Sequence, residues 1–412
     1  MKKFVFSLLF GVVVVLGIYG LKVLADGGEF TFPIMSKYRI ERIKVRRKMR
    51  GKRERFLKSV EAFKDMLFEQ REDKNLWVDG KRAQPGEFFV QKLRLSSGDM
   101  AEFFTDIHSD WRAVKDWRIY AQEAGSLSKE GKLRSKNDFY LYMGDLVDRG
   151  STGFLLIKFL IQLYQKNPDQ TIWLKGNHSR KAIFKNYGFE QELKQKYGFN
   201  SEEREEIYEL FDYLPSACFI IWKNSDGKKR GIICTHGGFP SFENYSPKKL
   251  IDSKTATYER LEYKACPLGG GIREFAWGDI HSSSHQQTSY NRRRRALTRG
   301  RKDTEQYLKK LSKQTGVEFV GIIRGHQHSG ELAKKMAEGN GLAFLWEKGR
   351  WKGKFFFRTL QSLSPFVLTI APFNYSLLKK RGILSDQAPL CKLVIEPEYD
   401  DCGLELDKQE KR

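Results

Sequence analysis

The chain of 412 residues contains no C-x-x-C pair, no zinc-finger spacing of cysteine and histidine, and no internal repeat. Its five cysteines (Cys218, Cys234, Cys266, Cys391 and Cys402) are scattered and odd in number, which argues against a disulfide framework. Cys218 and Cys234 fall inside apolar runs, where a thiol serves as a small buried hydrophobe. Acid is in short supply: 51 Asp and Glu face 74 Lys and Arg, leaving a net charge of +23. Histidine is scarce too, with seven in the whole chain, so where those seven fall carries weight. Hydrophobic residues at 40% and charged residues at 30% exclude a disordered chain and indicate a globular one with a sizeable core.

The excess positive charge has two addresses. One is Lys37 to Arg55, where Glu41 and Glu54 are the sole acids; the other is Arg292 to Arg295 with Arg299, Arg301 and Lys302. Such clusters either keep a face solvated or attract phosphate-bearing partners. An anionic membrane surface is the partner expected of the first; nucleic acid is not expected. Ahead of it, Lys2 and Lys3 precede an apolar run from Phe4 to Leu21, followed by Val23-Leu24-Ala25. That is the layout of a secretory signal peptide, yet the run is also long enough to span a bilayer uncleaved. Residues 1–25 therefore read as a signal peptide or membrane anchor, and the protein as membrane-anchored or exported. Residues 26–85 read as a basic helical extension. Within it Lys37 to Glu72 bears an apolar stripe (Phe56, Val60, Phe63, Met66, Leu67) that suits a packing helix, with a membrane-surface or partner helix as the alternative.

From about residue 86 to 400 the pattern alternates. Apolar runs at Phe88–Leu95, Met100–Thr105, Phe139–Met143, Thr171–Leu174, Phe219–Trp222, Gly231–Cys234, Phe319–Ile323 and Phe366–Ile370 are strand-like. Helical patterns intervene at Gly153–Gln165 and Glu202–Tyr213. This rhythm implies an α/β fold in layers with buried strands. The Ser282 to Asn291 region reads as loop, and residues 401–412 as a polar, frayed tail.

Most of the runs end in a polar cluster: Thr105-Asp106-Ile107-His108, Gly144-Asp145-Leu146-Val147-Asp148-Arg149-Gly150, Gly176-Asn177-His178, His236-Gly237-Gly238 and Arg324-Gly325-His326-Gln327-His328. Five of the seven histidines lie in them. Strand ends are where an α/β fold presents its active edge. Carboxylates, imidazoles and an amide carbonyl suit Mn, Fe, Zn or Mg rather than thiolate-seeking metals. Two such ions about 3.5–4 Å apart can clamp a phosphate and activate a water between them. Asp-x-His alone, or Gly-Asn-His alone, would be better read as structural; five clusters in succession are not.

These clusters resemble the calcineurin-like metallophosphoesterase signature D-x-H, G-D-x-x-D, G-N-H, H, G-H-x-H. The wording is closer still to the phosphoprotein phosphatase (PPP, serine/threonine phosphatase-like) family: Gly144 to Gly150 matches GDxVDRG, Leu174 to His178 resembles LRGNH, and Trp277-Gly278-Asp279 resembles W-x-D. Ile323 to Gln327 resembles RxHQ, and Leu368 to Tyr375 a late strand ending in Asn-Tyr. The resemblance implies a metallophosphoesterase-like β-sandwich flanked by helices, holding two divalent ions, manganese first among them. It implies Asp106 and His108 on one metal, Asn177, His236 and His326 on the other, and Asp145 bridging. It makes His178 the general acid, oriented by Asp148, with Arg149 and Arg293 binding the phosphate. The expected reaction is hydrolysis of phosphomonoesters on Ser or Thr, and conceivably Tyr, of a phosphoprotein by a metal-bridging hydroxide. A phosphodiesterase or dinucleotide polyphosphatase is the alternative; a membrane-tethered binding module with a vestigial site is a third. This chain departs from the family where Thr105 and Ser109 replace glycines flanking D-x-H, and where Ser179 replaces a glutamate after G-N-H. His328 has no counterpart in the animal-type phosphatases and stands as a candidate seventh ligand.

Overall fold

A computed structural model describes residues 33–223, 227–240, 257–261, 273–281, 288–291, 296–328, 343–345, 349–351, 353–356, 366–370, 389–396 and 401–408; for 33–50, 291, 343–356, 366 and those beyond 388 it describes the backbone path alone. The leader (1–25), Arg293 and the Gly269 to Gly271 stretch lie outside the described residues. Two compact units divide the chain, Met1–Arg55 and Phe56–Arg412. Helix α1 runs over Pro33–Glu69, and no helix among the described residues is long and apolar enough to cross a membrane.

In the second unit the strands are β1 (Phe88–Arg94), β2 (Met100–Phe104), β3 (Asp138–Tyr142), β4 (Thr171–Trp173), β5 (Ala217–Lys223), β6 (Lys229–Thr235), β7 (Thr257–Leu261), β8 (Asp279–Ile280), β9 (Ser289–Asn291), β10 (Ala296–Arg299), β11 (Glu318–Arg324), β12 (Ala343–Leu345), β13 (Gly349–Trp351), β14 (Gly353–Phe356), β15 (Phe366–Ile370), β16 (Pro389–Glu396) and β17 (Asp401–Lys408). Helices α2 (Trp111–Glu123), α3 (Gly153–Lys166), α4 (Lys181–Tyr187), α5 (Ser201–Glu209) and α6 (Arg301–Thr315) lie between them. One sheet has six strands in the order β14-β17-β16-β2-β3-β4, the other eight in the order β13-β12-β15-β11-β6-β5-β1-β7. In the first, β2, β3 and β4 are parallel, joined through α2 and α3 as βαβ units require. In the second, β6, β11 and β15 are parallel.

Period-2 alternation builds the layers. Phe103, Leu141 and Met143 point to one side and pack with Cys218, Ile220, Cys234 and Ile323 of the other sheet, forming the inter-sheet core. Phe104, Tyr140, Tyr142 and Trp173 point the other way, against α2, α3 and the second half of α1. The eight-stranded sheet repeats the arrangement, with Phe219, Ile233 and Ile322 meeting Tyr307, Leu308 and Leu311 of α6. Each such side chain contributes about 1.5–3 kcal/mol by leaving water. The result is the expected α/β sandwich flanked by helices.

Two boundaries move. The compact body begins at Phe56, not near residue 86, because Phe56, Val60, Phe63 and Leu67 are buried in its helical layer. Residues 401–408 are not a frayed tail: they form β17, hydrogen-bonded between β14 and β16. Cys402, Leu404 and Leu406 alternate with polar neighbours there, the pattern of a strand rather than of a solvated end. Likewise Ser289–Asn291, expected to be loop, pairs with β10.

Candidate metal centre

The parallel strands of both sheets deliver their polar clusters to one edge. Asp106 and His108 follow β2, Asp145 follows β3, and Asn177 and His178 follow β4, all from the six-stranded sheet. His236 follows β6, and His326 and His328 follow β11, from the eight-stranded sheet. Three groups of potential ligands result: Asp106, His108 and His328; His108, Asp145 and His178; Asp145, His236 and His326. Asp145 Oδ2 lies 3.6 Å from His108 Nε2 and 3.2 Å from His236 Nε2. His328 Nε2 is 3.3 Å from Asp106 Oδ1. Asn177 Oδ1 is 3.0 Å from both His236 Nε2 and His326 Nδ1.

The backbone is bent to achieve this. The described non-glycine residues with positive φ are Asp106, His108, Ser109, Asp145, Asp148, Arg149 and His326, all within these clusters except Ser109, which directly follows one. Each costs energy that the packed sandwich must absorb, and such strain gathers at functional sites. Gly144, at φ +88°, and Gly176 let the β3 and β4 loops touch; a methyl group on Gly176 would collide with the Asp145 carboxylate.

Orientation of the donors shows what the cluster is for. Asp106 Oδ2 accepts from Thr105 Oγ1 at 2.8 Å and from the His326 N–H at 2.9 Å. Asp145 Oδ1 accepts from the His178 N–H at 2.8 Å. That leaves Asp106 Oδ1 and Asp145 Oδ2 turned inward, buried and accepting no hydrogen bond, and His326 Nε2 is in the same position. His108 Nδ1 lies 3.1 Å from Val147 O and His236 Nδ1 2.9 Å from Met143 O. A ring nitrogen bonded to a carbonyl carries a proton, so it is Nε2 of each ring that faces the carboxylates, with a lone pair to offer whenever the ring is neutral. Lone pairs of imidazole, carboxylate and amide thus converge, an arrangement that cations satisfy. Hard and borderline donors in this number fit divalent ions.

Electrostatics agree. Burial opposes charge on Asp106 and Asp145, yet the imidazoles of His328 and His236 for the first, and of His236 and His178 for the second, outweigh it and hold both carboxyls below their ordinary range. Burial pushes the His108 imidazole down to about 3 and, helped by His236 and Arg324, lowers His326. His236 is raised: burial works against it, but Asp145 and Asp106 prevail.

Beside this cluster sits a second constellation. His178 Nδ1 is 2.8 Å from Asp148 Oδ2, and Asp148 Oδ1 accepts from the Phe189 N–H at 3.0 Å. Arg149 Nη2 donates to His178 Nε2 at 3.1 Å. Arg149 is exposed, whereas His178 and Asp148 are buried. The exposed ring of Tyr187 stands edge-on to His178, with centroids 4.8 Å apart.

Of the ten residues singled out from sequence, nine meet at this edge; the tenth, Arg293, lies outside the described residues. The candidate seventh ligand His328 joins Asp106 and His108. Sequence reasoning missed two supports. Thr105, noted as a departure from the family, pins Asp106 through its hydroxyl. Asp279, flagged within Trp277-Gly278-Asp279, lies 3.7 Å from His326 Nε2. No local spacing reveals either partner, since each pairing depends on the tertiary fold or on a hydroxyl's direction.

The sandwich and its edge are those of a metallophosphoesterase. The profile of the calcineurin-like phosphoesterase family matches residues 103–330, and the chain belongs to that family. It is 29% identical over 264 residues to the serine/threonine-protein phosphatase 4 catalytic subunit of Saccharomyces cerevisiae, covering 62% of this chain and 73% of that one. It is 32% identical over 147 residues to the PP2A-like serine/threonine-protein phosphatase PPG1 of the same yeast, spanning 35% of each. A solved serine/threonine phosphatase from S. cerevisiae, described as similar to human PP5, shares the fold with a TM-score of 0.54 at 17% identity, covering 86% of this chain and 90% of that one.

Proposed function

We propose that this chain is a dinuclear metal-dependent phosphomonoesterase acting on phosphoproteins. The observation that carries the reading is the Asp148–His178–Arg149 constellation, set directly beside the convergent acceptors of Asp145. Asp106, His108 and Asp145 would hold one ion, with His328 in reach; Asp145, Asn177, His236 and His326 would hold the other. When bound, the ions supply charge to clamp a phosphoryl group and to acidify a water for in-line attack.

The chain's own residues do the rest. Asp148 accepts from His178 Nδ1 and so fixes the ring with Nε2 toward the mouth. There Nε2 is engaged by the Arg149 guanidinium. A phosphoryl dianion is a better partner for that guanidinium than an imidazole, because both of its anionic oxygens can accept in the planar fork. Substrate would therefore draw Arg149 away and free Nε2 to carry a proton and donate it to the departing alkoxide. Burial raises the Asp148 carboxyl against the pull of His178, and its place as partner of the ring is fixed by geometry, Oδ1 being held by the Phe189 N–H and Oδ2 by the ring.

One feature favours a second reading. His328 in the Asp106–His108 group makes that half of the site richer in imidazole, which suits a phosphodiester or dinucleotide as well. Phosphoserine, phosphothreonine and phosphotyrosine peptides, p-nitrophenyl phosphate and bis-p-nitrophenyl phosphate should be assayed with manganese and with EDTA. We expect manganese-dependent turnover with the highest kcat/KM on phosphopeptides. A higher kcat/KM on the diester would transfer the assignment to the second reading. Turnover that persists after exhaustive chelation would end both.

A further inference from the structure

The rim beside His178 is cationic in a way the reaction itself does not use. Residues 180–196 carry five basic side chains (Arg180, Lys181, Lys185, Lys194, Lys196) and two acidic ones (Glu190, Glu192). The acids are committed elsewhere. Glu192 is buried and accepts from the Gly153 and Phe154 N–H groups at the start of α3, at 2.9 and 3.1 Å. Glu190 lies 3.6 Å from Arg204, and Lys181 is balanced by Glu205 at 2.6 Å. Arg180, Lys185, Lys194 and Lys196 are exposed.

The fold ties this segment to the mouth of the site. The Arg149 N–H donates to Tyr187 O at 2.8 Å, so the end of α4 is clipped to the residue that contacts His178. Lys196 Nζ reaches Ser151 O at 2.8 Å, two residues beyond Arg149 on the same loop. Lys185 precedes Tyr187 by two residues and Arg180 follows His178 by two. Positive charge thus borders the Arg149 loop through Lys196, with Arg180 and Lys185 close in sequence to His178 and Tyr187, while of the segment's own carboxylates Glu192 is buried and Glu190 faces Arg204. A solvated face needs no such one-sided arrangement around a phosphate-binding group.

We propose that Arg180, Lys185, Lys194 and Lys196 form a subsite that selects phosphopeptides with acidic residues beside the phosphorylated one. This rests on the phosphomonoesterase reading and names its substrate class. The test compares one phosphopeptide sequence with Glu or with Ala flanks, using the full chain, Lys185→Glu/Lys194→Glu, and Lys309→Glu/Lys313→Glu. The last pair changes charge equally on exposed positions of α6, near the end that leads into the start of β11, away from the site at that strand's far end. For the native chain kcat/KM should favour Glu flanks by about tenfold or more at low salt, and the ratio should shrink as salt screens it. The Lys185→Glu/Lys194→Glu variant should lose the ratio while turning over p-nitrophenyl phosphate within about twofold of native; the α6 variant should keep it. Equal handling of both peptides by the native chain, or a ratio intact in the Lys185/Lys194 variant, would overturn the subsite. Fluorescence anisotropy of the labelled peptides keeps the two claims apart. Glu-selective binding without turnover would sustain the subsite and sink the phosphatase, whereas turnover with equal binding and equal kcat/KM would do the reverse.

Discussion

The two sheets furnish the metal centre by different means. From the six-stranded sheet come Asp106, His108, Asp145, Asp148 and Arg149, all five at positive φ, together with Asn177 and His178, which are not. From the eight-stranded sheet come His236, His326 and His328, of which His326 alone has a positive φ. The first sheet positions its ligands by strained loops locked with hydrogen bonds: Thr105 to Asp106, the His178 N–H to Asp145, the His108 N–H to Asp145 O. The second brings imidazoles on less strained chain and aims them at groups already fixed by the first. His236 is oriented by Met143 O, a carbonyl of the opposite sheet. Precision therefore belongs to one side and affinity is shared. Substitutions in the first sheet should alter chemistry most; those in the second should be read mainly in metal binding.

Asp145 is the sharpest probe, since its Oδ2 lies within reach of His108 from one sheet and His236 from the other. Asp145→Asn keeps the shape, removes the anion, and should lower kcat by more than about a thousandfold with manganese saturating. Next comes His178→Asn, for which a loss of roughly 10²–10⁴-fold is expected on an alkyl phosphoester such as phosphoserine. On p-nitrophenyl phosphate, whose leaving group needs no proton, the loss should be much smaller. Equal losses on both substrates would remove His178 from the role of acid. Smaller again is Thr105→Val, which preserves volume but strips the hydroxyl from Asp106 Oδ2. The kcat at saturating manganese should fall about 10–100-fold, with manganese affinity, measured by titrating activity, changed less. If affinity fell and kcat were restored at high metal, the division of labour between the sheets would be wrong.

Much of this edge was legible because each cluster is a short word at the end of an apolar run: Asp106 and His108, Asp145 to Arg149, Asn177 and His178, His236, His326. What could not be read is how the words meet. Strand order places β11 beside β6 and β16 beside β2. Those pairings join residues far apart in sequence, and no local pattern encodes them. Thr105 looked like a lost glycine and proved to be a support for a ligand. The C-terminal half of α1 looked like part of an extension, since its basic first half dominates the composition. Burial of Phe56 and Phe63 makes it part of the body. The last strand was hidden by charge: Glu405 and Asp407 obscured the alternation of Cys402, Leu404 and Leu406.

Ser109 offers the finest test of the idea that strain on the first sheet serves positioning. It is buried, at φ 60°, and its Oγ has no hydrogen-bond partner. A left-handed conformation costs a non-glycine residue about 1–2 kcal/mol, and a buried unsatisfied hydroxyl about 1–3 kcal/mol. The backbone bonds that hold the turn, Ser109 N–H to Leu146 O at 2.8 Å and Ser109 O from Thr152 Oγ1, need no side chain. Ser109→Gly should therefore relieve both costs, offset by about 0.5–1 kcal/mol of added chain entropy and by lost contact with Gly150 and Gly153. The net expectation is a gain of about 1 kcal/mol in denaturant midpoint analysis with kcat unchanged. A stabilised variant with a reduced kcat would mean that the serine's strain, and not merely its neighbours', holds His108 in register.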